Sequence, residues 1–579
     1  MEVFKLDVLI LFLVLIVIAF TVSTYKMMKS RLLRIPGSIS GGGRNVQPIR
    51  IGDEQEHNRE HAVGRVKYWF RELFSCYKIY GELFRRLPQR GTLLSGVGDL
   101  IVMAAVSVGM ALFCTYSDGG ADLYMTTFMT LMYVSAVLIL FARCVNGARA
   151  VYLPCCILIL TGIALAVLLY LSPMQAVEKN YISHPQQSVN FHIIAVLFGL
   201  AVFPLIRMVC RAERRTEVLI LLNVLIVLIY LLLCVMGEEI NGAKNWIRIG
   251  TFQFQVTEVT KVLTMAVLGL TLTNEQMTEN WRFWCSVFTM ALNGLFLLLV
   301  CKEFGTLMVL CVVFLAMCLI YQKDTKKLIA IIAAAALFLS AFLVVAKSCY
   351  EIKNPKTTPS TTEAAETTAP TETTAPTETA PAATGEAAPE EETISWTDKL
   401  VDELGGAYKK VQDRFLVFLM PDQVDLAREG YQWKMSREAL VISDWFGSPY
   451  DISVPVARSD FIYIYMIVRL GVVFGFVVLL MLLVMLCAGM LRCMRNPQTG
   501  EAAVSLSFLI AMVFQSVLAA ASATGNFAIV GLPFVFLAYG GSAMLVNYAM
   551  LIFLIYSTGT RPLTDSGKNK RKVISRREE

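Results

Sequence analysis

The sequence predicts an all-α polytopic membrane protein, and three observations carry that prediction. Hydrophobic residues make up 56% of the 579 positions, and mean hydropathy is +0.60. Charged residues are only 17% and gather between apolar runs long enough to cross a bilayer as helices. The basic clusters recur where one fixed orientation requires cytoplasmic loops.

Residues 1–27 hold the apolar run Val8–Val22, followed by Lys26, Lys29, Arg31 and Arg34. A cleaved signal carries its positive charge before the apolar stretch. Here it comes after, so a signal-anchor helix with its N-terminus outside is expected. Residues 28–94 form a basic cytoplasmic linker. Within it Trp69, Phe70, Leu73, Phe74, Tyr77 and Phe84 recur at helical spacing among Lys67, Arg71, Lys78, Arg85 and Arg86. That pattern suits a helix on the anionic leaflet or a small packing helix. Gly41-Gly42-Gly43 lacks the rest of a phosphate-loop pattern.

Residues 95–150 hold two spans, Ile101–Tyr116 and Leu123–Ala142, with Arg143 and Arg149 inside. Residues 151–348 are read as Leu153–Leu171, Phe191–Ile206, Val218–Met236, Val259–Leu272, Phe283–Val300, Gly305–Ile320 and Leu328–Ala346. Arg211, Arg214, Arg215 and later Lys323, Lys326, Lys327 mark the inner side. Residues 349–460 form a long outer loop. Its part 357–392 is rich in Thr, Pro, Ala and Glu and holds almost no large apolar residue, so disorder is expected there. From Trp396 to Phe418, apolar residues return at helical spacing. Residues 461–557 hold the spans Phe461–Met490, Val504–Ala521 and Val535–Ile555, and the basic tail 558–579 is cytoplasmic. The total is about thirteen spans.

Function classes narrow in the same way. The fourteen cysteines include no CxxC pair, so neither a disulfide framework nor a zinc site is indicated. All four histidines, the last being His192, precede the midpoint, which removes histidine chemistry from the second half. The distinctive stretch is Val454-Pro455-Val456-Ala457-Arg458-Ser459-Asp460-Phe461. It sets a carboxylate beside a cation and a hydroxyl at the mouth of a span, which marks a functional site unless Ser459 or Asp460 is a helix cap. Glu258 and Lys261, three apart, share a helix face as a substrate-orienting or a structural pair. Lys244 and Arg248 flank Trp246 on an interfacial segment, facing pyrophosphate or lipid headgroups. Lys302-Glu303 is read as a substrate-facing pair or, equally, as an outer-edge pair that fixes two helix ends.

Five blocks resemble the SEDS family (FtsW, RodA, SpoVE), in that family's order. Asn241 to Lys261 resembles NGA(R/K)RWI…G…QPSELAK, with Asn245 for an Arg and Val256 for a Pro. Lys302-Glu303-Phe304-Gly305-Thr306 resembles QPDLGT, and Gly430-Tyr431-Gln432 resembles GYQ. Pro455 to Ile462 resembles PEAHTDFIF, with Val456 and Arg458 replacing the Glu and His. Gly531-Leu532-Pro533 through Tyr539-Gly540-Gly541-Ser542 resembles GLPLPF(V/I)SYGGS.

The resemblance implies a ten-helix core, to which this chain adds about three N-terminal transmembrane helices. It also implies a peptidoglycan glycosyltransferase that polymerises lipid II during elongation, division or sporulation, with a class B penicillin-binding protein as partner. Asp460 is then the catalytic base. Glu258, Lys261, Glu303, Gln432, Arg458, Ser459, Lys244 and Arg248 are the expected substrate contacts. The place implied is a bacterial cytoplasmic membrane. No cofactor and no nucleic-acid partner are expected, and a divalent ion on the pyrophosphate stays open. A lipid II flippase and a non-catalytic scaffold are the rival functions.

Overall fold

A computed structural model of the chain describes residues 76–84, 98, 101–112, 121–145, 149–171, 185–212, 215–240, 243–249, 252–322, 325–353, 396–426, 428, 430–448 and 454–559. The expected signal-anchor Val8–Val22, the Thr/Pro stretch 357–392 and the basic tail 560–579 lie outside these residues. The chain divides into two compact units, Tyr25–Ala333 with Gln412–Glu579, and Met1–Thr24 with Ala334–Val411.

The elements in order are α1 (Lys78–Phe84), α2 (Ile101–Leu112), α3 (Ala121–Val145), α4 (Arg149–Leu171), α5 (Pro185–Arg211) and α6 (Arg215–Met236). Then come β1 (Glu238–Ile240), β2 (Ala243–Ile249), β3 (Phe252–Gln255), α7 (Val256–Leu272), α8 (Glu279–Leu299), α9 (Phe304–Tyr321) and α10 (Thr325–Lys353). The second half holds α11 (Trp396–Leu419), α12 (Tyr431–Ile442), α13 (Ile462–Leu470), α14 (Val472–Cys493), α15 (Gly500–Ala523) and α16 (Gly541–Ser557). Among them α3, α4, α5, α6, α8, α9, α14 and α15 are long and apolar enough to cross a membrane. The protein is therefore a polytopic, predominantly helical membrane protein.

In the larger unit α15 is central, packing against α7, α9, α13, α14, α16 and α5. Its neighbour α16 lies along α5, and α14 lies along α4. The N-terminal helix α3 packs on α4 and α5, which joins it to the core. α1 docks on α5 as a packing helix: Ile79 and Leu83 are buried, and the Tyr77 hydroxyl donates to the Ala201 carbonyl at 3.0 Å. In the smaller unit, Tyr350 of α10 and Tyr408 of α11 hold their rings 6.0 Å apart.

Three local expectations are corrected. First, 238–255 is an antiparallel sheet, with Trp246 opposite Gln255 and Ile247 opposite Phe254. Strand alternation turns Asn245 and Ile247 to the buried side and leaves Arg248 exposed. Second, the run Phe461–Met490 is two helices. Gly471 stands between them at φ +98°, and a Cβ there would lie 2.6 Å from the Phe446 Cα, which only glycine avoids. The Tyr463 hydroxyl reaches the Gly475 carbonyl at 3.1 Å, twelve residues on. A continuous helix would hold those positions about 18 Å apart, so α13 folds back on α14. Third, the last span starts at Gly541, and residues 535–540 are turns and irregular chain before it.

Candidate active site

Asp460 stands in a run of turns that ends at Phe461, the N-cap of α13. That cap has no side-chain hydrogen bond, so neither Ser459 nor Asp460 serves as a helix cap. Val456 holds φ at +52°, a sparsely populated conformation for a β-branched residue and a mark of local strain. The neighbouring strand of chain restrains it: the Ser459 amide donates to the Val456 carbonyl at 3.2 Å. Across the site, the Tyr539 amide donates to the Arg458 carbonyl at 2.8 Å.

The Asp460 carboxylate has the Ser459 hydroxyl beside it in the chain and lies within electrostatic reach of Arg414. Burial pushes its pKa above the ordinary carboxylate value, while Ser459 and Arg414 pull it back down. Gly531, in the α15–α16 connection, faces it. A Cβ there would sit 3.4 Å from Asp460 Oδ2, which is ordinary contact, so it is the φ of +64° that calls for glycine.

Arg414 comes from α11, and sequence spacing did not single it out. Its charge is favoured by both Asp460 and Glu303, against a burial that lowers its pKa. The same end of α11 is fastened to the α15–α16 connection: Phe415 and Phe418 set their rings 6.2 and 5.8 Å from that of Phe527. α12 fastens it too. Trp433 Nε1 donates to the Gly525 carbonyl at 3.3 Å, and the Arg437 guanidinium stacks 5.5 Å from the Trp433 ring. Gln432, the sequence-predicted contact, lies half-buried beside Trp433 on the first turn of α12.

Glu303 precedes α9 and gathers three donors. Asn245 Nδ2 reaches it at 2.8 Å, Gln255 Nε2 at 3.4 Å, and Thr306 Oγ1 from the first turn of α9. Asn245 is thus the strand residue that reaches the site, in place of the expected Lys244 and Arg248. Lys244 instead donates to the Cys234 carbonyl at 2.8 Å, and Arg248 pairs with Glu238 at 3.1 Å on the surface.

Glu258 and Lys261 form their pair, 2.8 Å apart, with side chains 1% and 0% exposed. Sealed in this way, the pair lies inside the protein rather than on its surface. Lys261 also donates to Gln515 Oε1 at 2.8 Å, and Gln515 Nε2 donates to the Pro533 carbonyl at 2.9 Å. Gly305 abuts the same connection, a Cβ on it falling 3.1 Å from the Val530 carbonyl. The Gln255 amide donates to Ser542 Oγ at 3.2 Å. Residues 525–542 are therefore touched by three of the other four blocks, and by Trp433 and Arg437 just after the fourth. Among the described residues no group of three His, Cys, Asp or Glu is placed to hold a metal ion.

Residues 151–363 and 407–560 match the model of the cell cycle protein family that comprises FtsW, RodA and SpoVE. The chain belongs to this family. A probable peptidoglycan glycosyltransferase FtsW of Buchnera aphidicola is 21% identical over 349 residues, 59% of this chain and 72% of its own. A peptidoglycan glycosyltransferase RodA of Treponema pallidum is 23% identical over 352 residues, 58% of this chain and 80% of its own. A chain of a solved peptidoglycan synthase complex aligns over 69% of this chain and 96% of its own, at 16% identity and a TM-score of 0.46. In this SEDS protein, blocks that are dispersed along the sequence meet around the α15–α16 connection, with Asp460 at its edge.

Proposed function

We propose that this SEDS protein is a peptidoglycan glycosyltransferase of the bacterial cytoplasmic membrane that polymerises lipid II at the outer face. One observation carries the reading: a half-buried carboxylate, Asp460, lies at the edge of the connection that holds Gly531–Ser542, with the Arg414 cation in electrostatic reach. The 4-hydroxyl of the acceptor GlcNAc attacks C1 of the donor MurNAc, and the bond from C1 to undecaprenyl pyrophosphate breaks. An alcohol is a weak nucleophile, so Asp460 takes its proton as the new bond forms. Desolvation makes Asp460 a stronger base than a carboxylate in water, and Arg414 favours its ionised form. Arg414 and Arg458 supply positive charge where the leaving pyrophosphate develops its own.

Asn245, Gln255 and Thr306 fix Glu303 in place, and the Glu303 charge in turn favours the charged form of Arg414. The partner expected from the resemblance, a class B penicillin-binding protein, would cross-link the strands made here.

The deciding experiment gives purified protein labelled lipid II in detergent, where leaflets do not exist. Glycan chains that vanish in Asp460→Asn are expected. A protein that moves lipid II between leaflets of vesicles yet makes no chains is a flippase, and one that does neither is a scaffold; either result ends the enzymatic reading.

A further inference from the structure

The bend between α13 and α14 is clasped by residues 444–448. The Val472 amide donates to the Asp444 carbonyl at 3.0 Å, the Val473 amide to the Trp445 carbonyl at 3.2 Å, and the Ser448 amide to the Val468 carbonyl at 2.8 Å. The first two bonds satisfy amides at the start of α14, and the third a carbonyl at the end of α13, that helix ends leave unpaired. They also fix two large apolar side chains at the tip, Trp445 at 64% and Phe446 at 85% exposure. Gly447 and Gly471, with φ of +103° and +98°, allow the two turns to press together there. An arrangement this closely bonded is a built feature, and its apolar tips point away from the protein.

What lies beyond the tips follows from the helix they crown. α14 is the least buried of the membrane-length helices among the described residues, and Val473, Phe476 and Leu480 run down its exposed side. On a helix that crosses a bilayer, such a side faces lipid. Trp445 and Phe446 stand exposed beside the first residues of that helix, where the Val473 amide meets the Trp445 carbonyl. Polar groups flank them at the same level: Asp444 is exposed, and the Arg469 guanidinium stacks 5.6 Å from the Tyr465 ring. Apolar tips between charged neighbours, Trp included, match the boundary between headgroups and acyl chains.

We propose that the Trp445-Phe446 turn inserts into the outer leaflet at this boundary and sets the depth of Asp460 relative to the lipid. The turn clasps one end of α13, and Asp460 lies at the other. A nine-residue helix is a rigid spacer of about 14 Å, so anchoring one end fixes the other. A substrate whose reacting centre hangs from a lipid pyrophosphate needs its base at a constant height. The insertion rests on the outer placement of this loop; the purpose given to it rests on the proposed activity.

The test uses the full chain in lipid nanodiscs whose acyl chains carry bromine near the headgroup or near the chain end. Subtracting the fluorescence of Trp445→Phe from that of the parent isolates Trp445. Bromine near the headgroup should quench this signal at least about twofold more than bromine at the chain end. If Trp445→Phe does not fold, Phe446→Trp is compared with the parent and should show the same preference. A signal quenched by aqueous acrylamide and not by either lipid overturns the proposal. So does one shielded from both quenchers, which would mean that protein covers the turn. Neither reading depends on whether glycan chains are made, so the two proposals fail separately.

Discussion

The Arg458 carbonyl accepts a hydrogen bond from the Tyr539 amide at 2.8 Å, joining the segment that carries Asp460 to the Tyr539-Gly540-Gly541-Ser542 block. Eighty residues of sequence and two membrane-length helices separate the two positions. Their union helps hold one carboxylate half-buried beside the last helix-to-helix connection. The backbone of Arg458 does the holding, and the side chain of Asp460 is left for chemistry.

The first prediction concerns that side chain. Asp460→Asn keeps the shape but removes the base. Polymerisation of lipid II should fall by at least about 10²-fold. Binding of lipid II, read by fluorescence anisotropy, should stay within about threefold, because only the proton acceptor is lost. Loss of binding with the rate per bound substrate unchanged would sink the assignment.

A second prediction uses the sign of the Asp460 shift. The carboxylate must be ionised to act, so activity falls as pH drops through its raised pKa. Arg414 lowers that pKa, and Arg414→Gln therefore raises it further. The acid limb of the pH–rate profile should move to higher pH in Arg414→Gln and return toward the parent in Arg414→Lys. An acid limb that stays in place while the rate drops uniformly would assign Arg414 to binding or packing alone.

The site was legible in part, and the gaps have physical causes. Asp460, Glu303 and the Gly531–Ser542 block were found by resemblance, since each lies in a short contiguous pattern. Asn245 was passed over for Lys244 and Arg248 because residues 241–250 were read as an interfacial segment without strand alternation. Asn241-Gly242 before an alternating run was the available signal for a hairpin. The break at Gly471 was hidden inside an apolar run that hydropathy cannot divide. Arg414 was hidden for another reason: helical spacing shows which face of α11 is apolar, but not which cation on its edge reaches a carboxylate on a different element.

The buried pair gives a third prediction. Removing one partner of a sealed ion pair leaves a charge without compensation, at a cost of about 3–5 kcal/mol. Lys261→Met and Glu258→Leu should each lower the thermal unfolding temperature and the yield of folded protein. The double variant Lys261→Met, Glu258→Leu should recover much of that loss while remaining short of the Gln515 hydrogen bond. A single variant of parental stability that loses only lipid II binding would return the pair to the substrate site.

The last prediction tests orientation. Positive charge at Arg492 and Arg495 places the α14–α15 connection inside, and the outer loop then holds Asp422 outside. Both Asp422 and Gln498 are exposed, so a thiol at either position is open to reagent from its own side. In intact cells a membrane-impermeant maleimide should label Asp422→Cys promptly and Gln498→Cys only after permeabilisation. The parent chain, carrying its native cysteines, is the background control. Reversed accessibility would place Asp460 on the cytoplasmic side, away from any acceptor strand, and would leave an outer-face polymerase without its base.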